Sequence, residues 1–412
     1  MATTIAGIDV HKKVLMVVVL RTQAGQAEAG PQRRRFGAMG SEVRQLRLWL
    51  SEQGVEEVVM ESTAQYWRPV WMELEPHMKL HLAQAFSNKA PRGRKLDFKD
   101  AERLVRRHLA QELILSFVPD AEQRGWRTMT RIKTQLAHER VRLHNQMEGL
   151  LEEMRIKLSS VVSDLLGASG QRILRALADG VTDAEKLAAL GSHQLRASRE
   201  QLIDALSAIP SATHRRLLAL YLERLQLVDK QIDELNQSIA AAMKPNQDAV
   251  MRLAEVPGFG ADSAQQIIAE VGPQARAFPS AARFSSWAGT CPGKQESAEQ
   301  NQSSRSAKGN KYVRRVLTEV AQAAVKAKGS HYQIVFRRLL PRLGYKQALW
   351  AVVHRLSRLV WKILHDGVQY IEQSIDRDPE ARRKRAATLA RALRRLGYDV
   401  NLKPADPALL TA

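Results

Sequence analysis

A single cysteine, Cys291, stands in 412 residues, so the chain can form no disulfide within itself and no cysteine-based zinc site. A reducing, cytosolic setting is the expectation. Long apolar runs are missing too. None approaches the roughly 20 residues needed to cross a bilayer, and the most apolar late stretch, 348–364, is interrupted by His354, Arg355, Arg358 and Lys362. The opening Met1-Ala2-Thr3-Thr4-Ile5 lacks the basic and long apolar regions of a signal peptide. No membrane partner is expected. Negative charge is scarce: 43 Asp and Glu face 63 Lys and Arg, for a net charge of +20 and a pI near 10.3. Such an excess, in clusters, favours a polyanionic partner over a merely solvated surface.

The few acids that are present gather suggestively. Asp9 ends the apolar run Ile5-Ala6-Gly7-Ile8, and Glu61 ends Val58-Val59-Met60. Asp97 and Asp100 stand three apart at the start of a helical stretch. Each alone reads most simply as a strand-end or helix-cap residue. Together they bring carboxylates from three neighbourhoods towards one point, which is costly unless cations neutralise them. Hard divalent ions such as Mg²⁺ take oxygen ligands, and a pair of them suits phosphodiester chemistry. His11, close to Asp9, reads equally as a surface turn residue and as a site partner, and is left outside this set.

Residues 1–118 read as α/β in the order β-β-β-α-β-α-β-α. The strands are 4–10, 14–20, 33–36, 55–60 and 80–85; helices are expected at 41–53, with Ser41 as N-cap, and at 100–115. Gly7 is placed to ease close packing beside the acids. Residues 119–245 read as helical, with few Gly or Pro and a break at Ser163–Gly170. Within them Leu218, Tyr221, Leu225, Val228, Ile232, Leu235, Ile239 and Ala242 hold a and d positions for about four heptads. An intermolecular coiled coil and an intrachain helical hairpin fit this pattern equally. Pro245-Asn246-Gln247 marks the next boundary. Residues 246–371 follow, and 372–412 read as a basic helical tail with Arg382-Arg383-Lys384-Arg385.

Val256-Pro257-Gly258-Phe259-Gly260 resembles a helix-hairpin-helix turn, in which Gly258 and Gly260 would let backbone N–H groups approach a DNA phosphate; a purely structural turn is the alternative. Residues 287–315 read as a polar, Ser-rich loop entering a helix near Asn310. Its serines, Ser297, Ser303, Ser304 and Ser306, are individually ordinary turn residues. The ordered set Trp287-Ala288-Gly289, Cys291-Pro292-Gly293, Glu296-Ser297-Ala298 and Lys308-Gly309-Asn310, then Tyr312, Arg314 and Arg315, goes further. It resembles the C-terminal domain of the DEDD transposases of bacterial insertion sequences, the family numbered one-ten with its eleven-eleven subgroup of bridge-RNA-guided recombinases. Gly7-Ile8-Asp9-Val10-His11, Met60-Glu61-Ser62-Thr63 and Asp97-Phe98-Lys99-Asp100 are similar to that family's N-terminal motifs.

The resemblance covers about 4–371 and implies a multidomain α/β plus α protein. Its parts would be an N-terminal RuvC-like (ribonuclease-H-like) domain, a helical coiled-coil region, and a mostly helical C-terminal domain with the helix-hairpin-helix-like motif. It implies that Asp9, Glu61, Asp97 and Asp100 hold Mg²⁺ or Mn²⁺ and that Ser297 is a nucleophile forming a phosphoserine link to DNA. Lys308, Asn310, Arg314 and Arg315 would contact nucleic acid. Implied partners are donor and target DNA, an element-encoded guide RNA, and further copies of the chain in a dimer or tetramer, within the bacterial nucleoid. After the serine this chain has Ala298 where the family usually has Gly, and Glu299-Gln300-Asn301 where the family is cationic. The alternative reading is a junction-resolvase-like metal endonuclease in which water attacks and Ser297 is structural.

Overall fold

The computed structural model describes residues 3–22, 30–61, 64–88, 97–193, 195–293, 295–297, 300–303, 305–372, 387, 390 and 391. The basic run Arg382–Arg385, Ser62, Thr63, Ala298, Glu299 and Ser304 lie outside them, as do the side chains of Asp97 and Ser297. The chain divides into two compact units, Met1–Pro119 and Asp120–Ala412.

The first unit is built on a five-stranded mixed sheet. Its strands are β1 (Thr3–Val10), β2 (Val14–Thr22), β3 (Gln32–Gly37), β4 (Glu57–Glu61) and β5 (Lys79–Ala83), in the order β3-β2-β1-β4-β5. β1–β2 and β2–β3 pair antiparallel; β1–β4 and β4–β5 pair parallel. The Val- and Ile-rich β1 and β2 take the centre, where both faces are dry, whereas Arg33, Arg34 and Arg35 keep β3 exposed at an edge. Helices α1 (Gly40–Glu52) and α2 (Trp67–Leu74) cover one face, with Val43, Leu46 and Leu50 of α1 turned inward at helical spacing. Helix α3 (Asp97–Leu109) covers the other, packing Ala101, Leu104 and Val105 on Ile5, Val18 and Val59.

Two details differ from the sequence reading. Met39, without a side-chain hydrogen bond, is the N-cap of α1, and Ser41 lies inside the helix; the Glu42 carboxylate instead accepts from the Gly37 N–H at 3.1 Å. α3 stops at Leu109 rather than running to Leu115, because Gln111 takes a left-handed φ of 59° and Leu115 forms an antiparallel bridge to Ala83.

The second unit is helical. α4 (Ala121–Glu153) is capped by the Asp120 carboxylate, which accepts from the Gln123 N–H at 2.8 Å. Short helices α5 (Leu158–Val161), α6 (Ala168–Ala178), α7 (Ala184–Ala189) and α8 (Arg199–Ala205) lead to α9 (Ala212–Ala242). Leu218, Leu225 and Val228 of the heptad stretch are buried in one core with Leu143, Met147 and Leu150 of α4. Ion pairs Arg140–Asp229 and Arg224–Glu139 flank that seam. The apolar stripe of α9 thus has a partner helix in its own chain. Beyond it come α10 (Gln247–Ala254), α11 (Ala261–Val271), α12 (Ala281–Ala288), the hairpin β6 (Gln295–Ser297) with β7 (Gln300–Ser303), α13 (Lys311–Ala324) and α14 (His331–Asp366), which breaks at Gly344.

Candidate functional site

In β1 the odd-numbered side chains face α3, since Ile5 packs there; in β4 Val59 does the same. By this alternation Asp9 and Glu61 also fall on the α3 face. The register Ile8↔Met60 puts them at the same ends of neighbouring parallel strands. α3 reaches that point because position 7 has no side chain. A Cβ on Gly7 would come within 2.7 Å of Val105 Cγ2 and nearer still to the carbonyl oxygen of Ala101. The helix therefore rests on bare backbone two residues before Asp9, with Asp100 beside the crossing and Asp97 as its first residue.

Each described acid is engaged. His11 Nε2 lies 3.1 Å from Asp9 Oδ2, so this histidine is a site neighbour and not only a turn residue. Asn88 Nδ2 donates to Glu61 Oε2 at 3.0 Å, and Arg103 donates to Asp100 Oδ1 at 2.5 Å. Arg103 Nε also donates to the Asn88 carbonyl oxygen at 3.1 Å, so one hydrogen-bonded chain runs from Glu61 through Asn88 and Arg103 to Asp100. The sequence reading missed Asn88 and Arg103. Arg103 sits one turn after Asp100, a legible helical pair, but Asn88 had no such signal. Among the described residues, Asp9, Glu61 and Asp100 do not form a group whose ligand atoms all lie within 4.8 Å of one another. Their all-oxygen chemistry fits hard divalent cations such as Mg²⁺ or Mn²⁺.

In the second unit the serine-rich segment is a hairpin rather than an open loop. Ser297 ends β6 and pairs in register with Gln300. Its base is strapped by glycines. A Cβ on Gly289 would meet Ala307 O and Gly309 N at 2.7 Å, and one on Gly293 would run into the Arg305 backbone. The Trp-Ala-Gly, Cys-Pro-Gly and Lys-Gly-Asn motifs thus share one role: they let segments 288–293 and 305–309 touch backbone to backbone below the hairpin.

The expected nucleic-acid contacts divide in two. Lys308, Lys311, Arg314, Arg315 and Trp350 line a groove of about 620 Å³. Arg314 lies over the Trp350 ring at 4.9 Å, and Trp350 donates to Ser306 Oγ at 2.7 Å. A flat aromatic beside cations suits a base and its phosphates. Neither Lys311 nor Trp350 was foreseen. Arg315, by contrast, is held by Glu319 at 3.0 Å, Thr134 at 3.1 Å and Gln266 at 2.5 Å. Asn310 caps α13, its Oδ1 accepting from Tyr312 N and Val313 N, while its Nδ2 donates to Glu270 at 2.8 Å. Gly258, at φ 89°, sits hard against Val320 and Ala324 of α13, a packing role; Gly260 is open, and its N–H donates to Ser263 Oγ. Glu270 is the hub beneath this surface. It is 2% exposed and also takes Arg131 in a two-pronged pair at 2.8 and 2.9 Å.

Comparisons with known proteins bear on the family. A profile of IS110-type DEDD transposases, described as "Transposase", matches residues 6–156, and one described as "Transposase IS116/IS110/IS902 family" matches residues 250–334. "Putative transposase y4pF/y4sB" of Sinorhizobium fredii (strain NBRC 101917 / NGR234) is 25% identical over 178 residues, 42% of this chain. The match spans 46% of that relative's own length, a little under half. The first profile carries the strand-end acids and the second the helical turn and the serine hairpin; together they account for more than half of the 412 residues, and the chain belongs to the IS110 family of DEDD transposases.

Proposed function

We propose that this chain is a DNA transposase that cuts and rejoins strands by phosphoryl transfer, with a RuvC-like acid site and a serine nucleophile. One observation carries the reading: Asp9 and Glu61 stand at the same ends of adjacent parallel strands, on the face where α3 delivers Asp100. Mg²⁺ or Mn²⁺ held by Asp9, Glu61, Asp97 and Asp100 would supply Lewis acidity and neutralise charge on the phosphoryl group. His11, Asn88 and Arg103 orient three of those carboxylates.

The Ser297 hydroxyl attacks phosphorus, a deoxyribose oxygen leaves and takes up a proton, and the DNA becomes joined to serine through a phosphodiester. Attack by the hydroxyl of a second strand reverses the exchange and frees Ser297. The glycine-strapped hairpin base supports this role, since it presents Ser297 on a fixed stem. The groove of Lys308, Lys311, Arg314 and Trp350 would hold the substrate backbone. The family resemblance adds a guide RNA pairing with donor and target DNA, so that base pairing supplies specificity. It also adds assembly into a dimer or tetramer, which suits the joining of several strands.

The test incubates the protein with its copurifying RNA, donor DNA, target DNA and Mg²⁺, then maps protein-linked DNA by proteolysis and mass spectrometry. A DNA adduct on the Ser297 peptide is expected, absent in Ser297→Ala and retained in Ser303→Ala. Undiminished Mg²⁺-dependent nicking by Ser297→Ala would instead favour the water-attacking nuclease.

A further inference from the structure

The tightest cluster of ligating side chains among the described residues lies away from the DEDD acids, at the opposite end of β4. Glu57 opens that strand, His81 lies in β5, and His108 stands in the last turn of α3. His81 Nε2 is 2.9 Å and His108 Nε2 3.2 Å from the same oxygen, Glu57 Oε2. The two imidazole rings are 4.3 Å apart. All three ligand atoms fall within 4.8 Å of one another. Lys79 donates to the other carboxylate oxygen, Oε1, at 2.8 Å and so fixes the rotation that turns Oε2 towards the rings.

We propose that Glu57, His81 and His108 form a second metal site, for a divalent transition ion of zinc's class, which clamps the end of α3 to β4 and β5. The donor set decides the class. Two imidazoles and one carboxylate suit Zn²⁺ and its neighbours, whereas Mg²⁺ prefers oxygen alone. The side chain of Glu57 is 23% exposed and those of His81 and His108 15% each, open enough for an ion to enter yet sheltered from bulk water.

Lys79, then His108 and His81, hold the Glu57 carboxyl down to about 2 against the opposing effect of burial. Burial, then the neighbouring His108, favours neutral His81. To bind, each imidazole would present a deprotonated Nε2 to the ion. The plain alternative is that Glu57 merely accepts two imidazole hydrogen bonds as a structural staple.

The experiment uses full-length protein stripped with chelator. Calorimetric titration with ZnCl₂ should give one tight site per chain, and X-ray absorption should report two imidazole nitrogens and a carboxylate at about 2.0–2.1 Å. Thermal unfolding should move upward with zinc. His81→Gln and His108→Gln, which keep a hydrogen-bond donor near Glu57, should weaken zinc binding by on the order of 10²-fold or more while circular dichroism shows the native fold. Asp9→Ala and Asp100→Ala should leave zinc affinity unchanged. Absence of stoichiometric zinc, or unchanged affinity in both glutamine variants, would overturn the proposal. Neither readout depends on DNA cleavage, so the proposal can fail while the transposase reading stands.

Discussion

Gly7→Ala tests whether α3 positions the acid site. The new methyl would stand 2.7 Å from Val105 Cγ2 and closer to the Ala101 carbonyl, against ordinary carbon contacts of about 3.5–4.0 Å. The obstruction is helix backbone, so no side chain can swing aside. α3 must retreat from β1 by about 1 Å, and overpacking of this kind costs about 1–3 kcal/mol. The same movement carries Asp97 and Asp100 away from Asp9 and Glu61. A misplacement of about 1 Å at a reacting centre can cost roughly 10²-fold in rate. Urea unfolding measures the first effect, and Mg²⁺-dependent strand cleavage measures the second. Gly30→Ala is the control, because a Cβ there meets nothing within 4 Å. If Gly7→Ala keeps native stability and cleavage while Gly30→Ala behaves the same, α3 does not bear on Gly7 and the assembled acid site is mistaken.

Other tests follow from particular contacts. Glu270→Gln strips the buried partner of Arg131 and should cost about 3–5 kcal/mol in denaturant unfolding, whereas Glu319→Gln, at an exposed pair, should stay within about 1 kcal/mol. Lys308→Ala or Lys311→Ala should lower the salt slope of DNA binding by roughly 0.9 for each lost phosphate contact. Arg315→Ala, whose guanidinium is tied to Glu319, Thr134 and Gln266, should reduce stability more than that slope. Glu57 has its pKa lowered on folding, so its contribution is present at neutral pH and is lost as pH falls from about 4.5 towards about 2. Acid titration of Glu57→Gln, followed by circular dichroism, should show a shallower loss across that window.

The strands of the first unit were legible because Val- and Ile-rich runs leave few other places to go. Asp9 and Glu61 were legible for a related reason, as each is an acid closing such a run. The end of α3 was not: nothing at Ala110–Gln111 announces a stop, since Gln111 turns left-handed without being glycine. The hairpin that ends on Ser297 was invisible as strands because its residues are Gln, Glu, Asn and Ser, with no apolar alternation. Its stem comes instead from glycines far apart in the chain, Gly289, Gly293 and Gly309. The heptads from Leu218 gave the seam of α9 but could not name its partner, because a stripe of leucines is equally satisfied by α4 or by another molecule. Asn88, Trp350 and Glu270 depend on long-range meetings that no local pattern encodes.

The length of α4 gives the buried Glu270 a mechanical meaning. Thirty-three residues make a rod of roughly 50 Å. Near its start Arg131 grips Glu270, whose other oxygen also holds the cap of α13 through Asn310. Its later turns are embedded in the core shared with α6 and α9. A stiff rod pinned near one end is a lever with Glu270 as its fulcrum. From Arg131 to Glu153 the arm is roughly 33 Å, over which a tilt of roughly 5° displaces the far end by about 3 Å. A tilt of α4 at the α6–α9 cluster would therefore reach the Glu270–Asn310 contact that caps α13, next to the stem that carries Ser297.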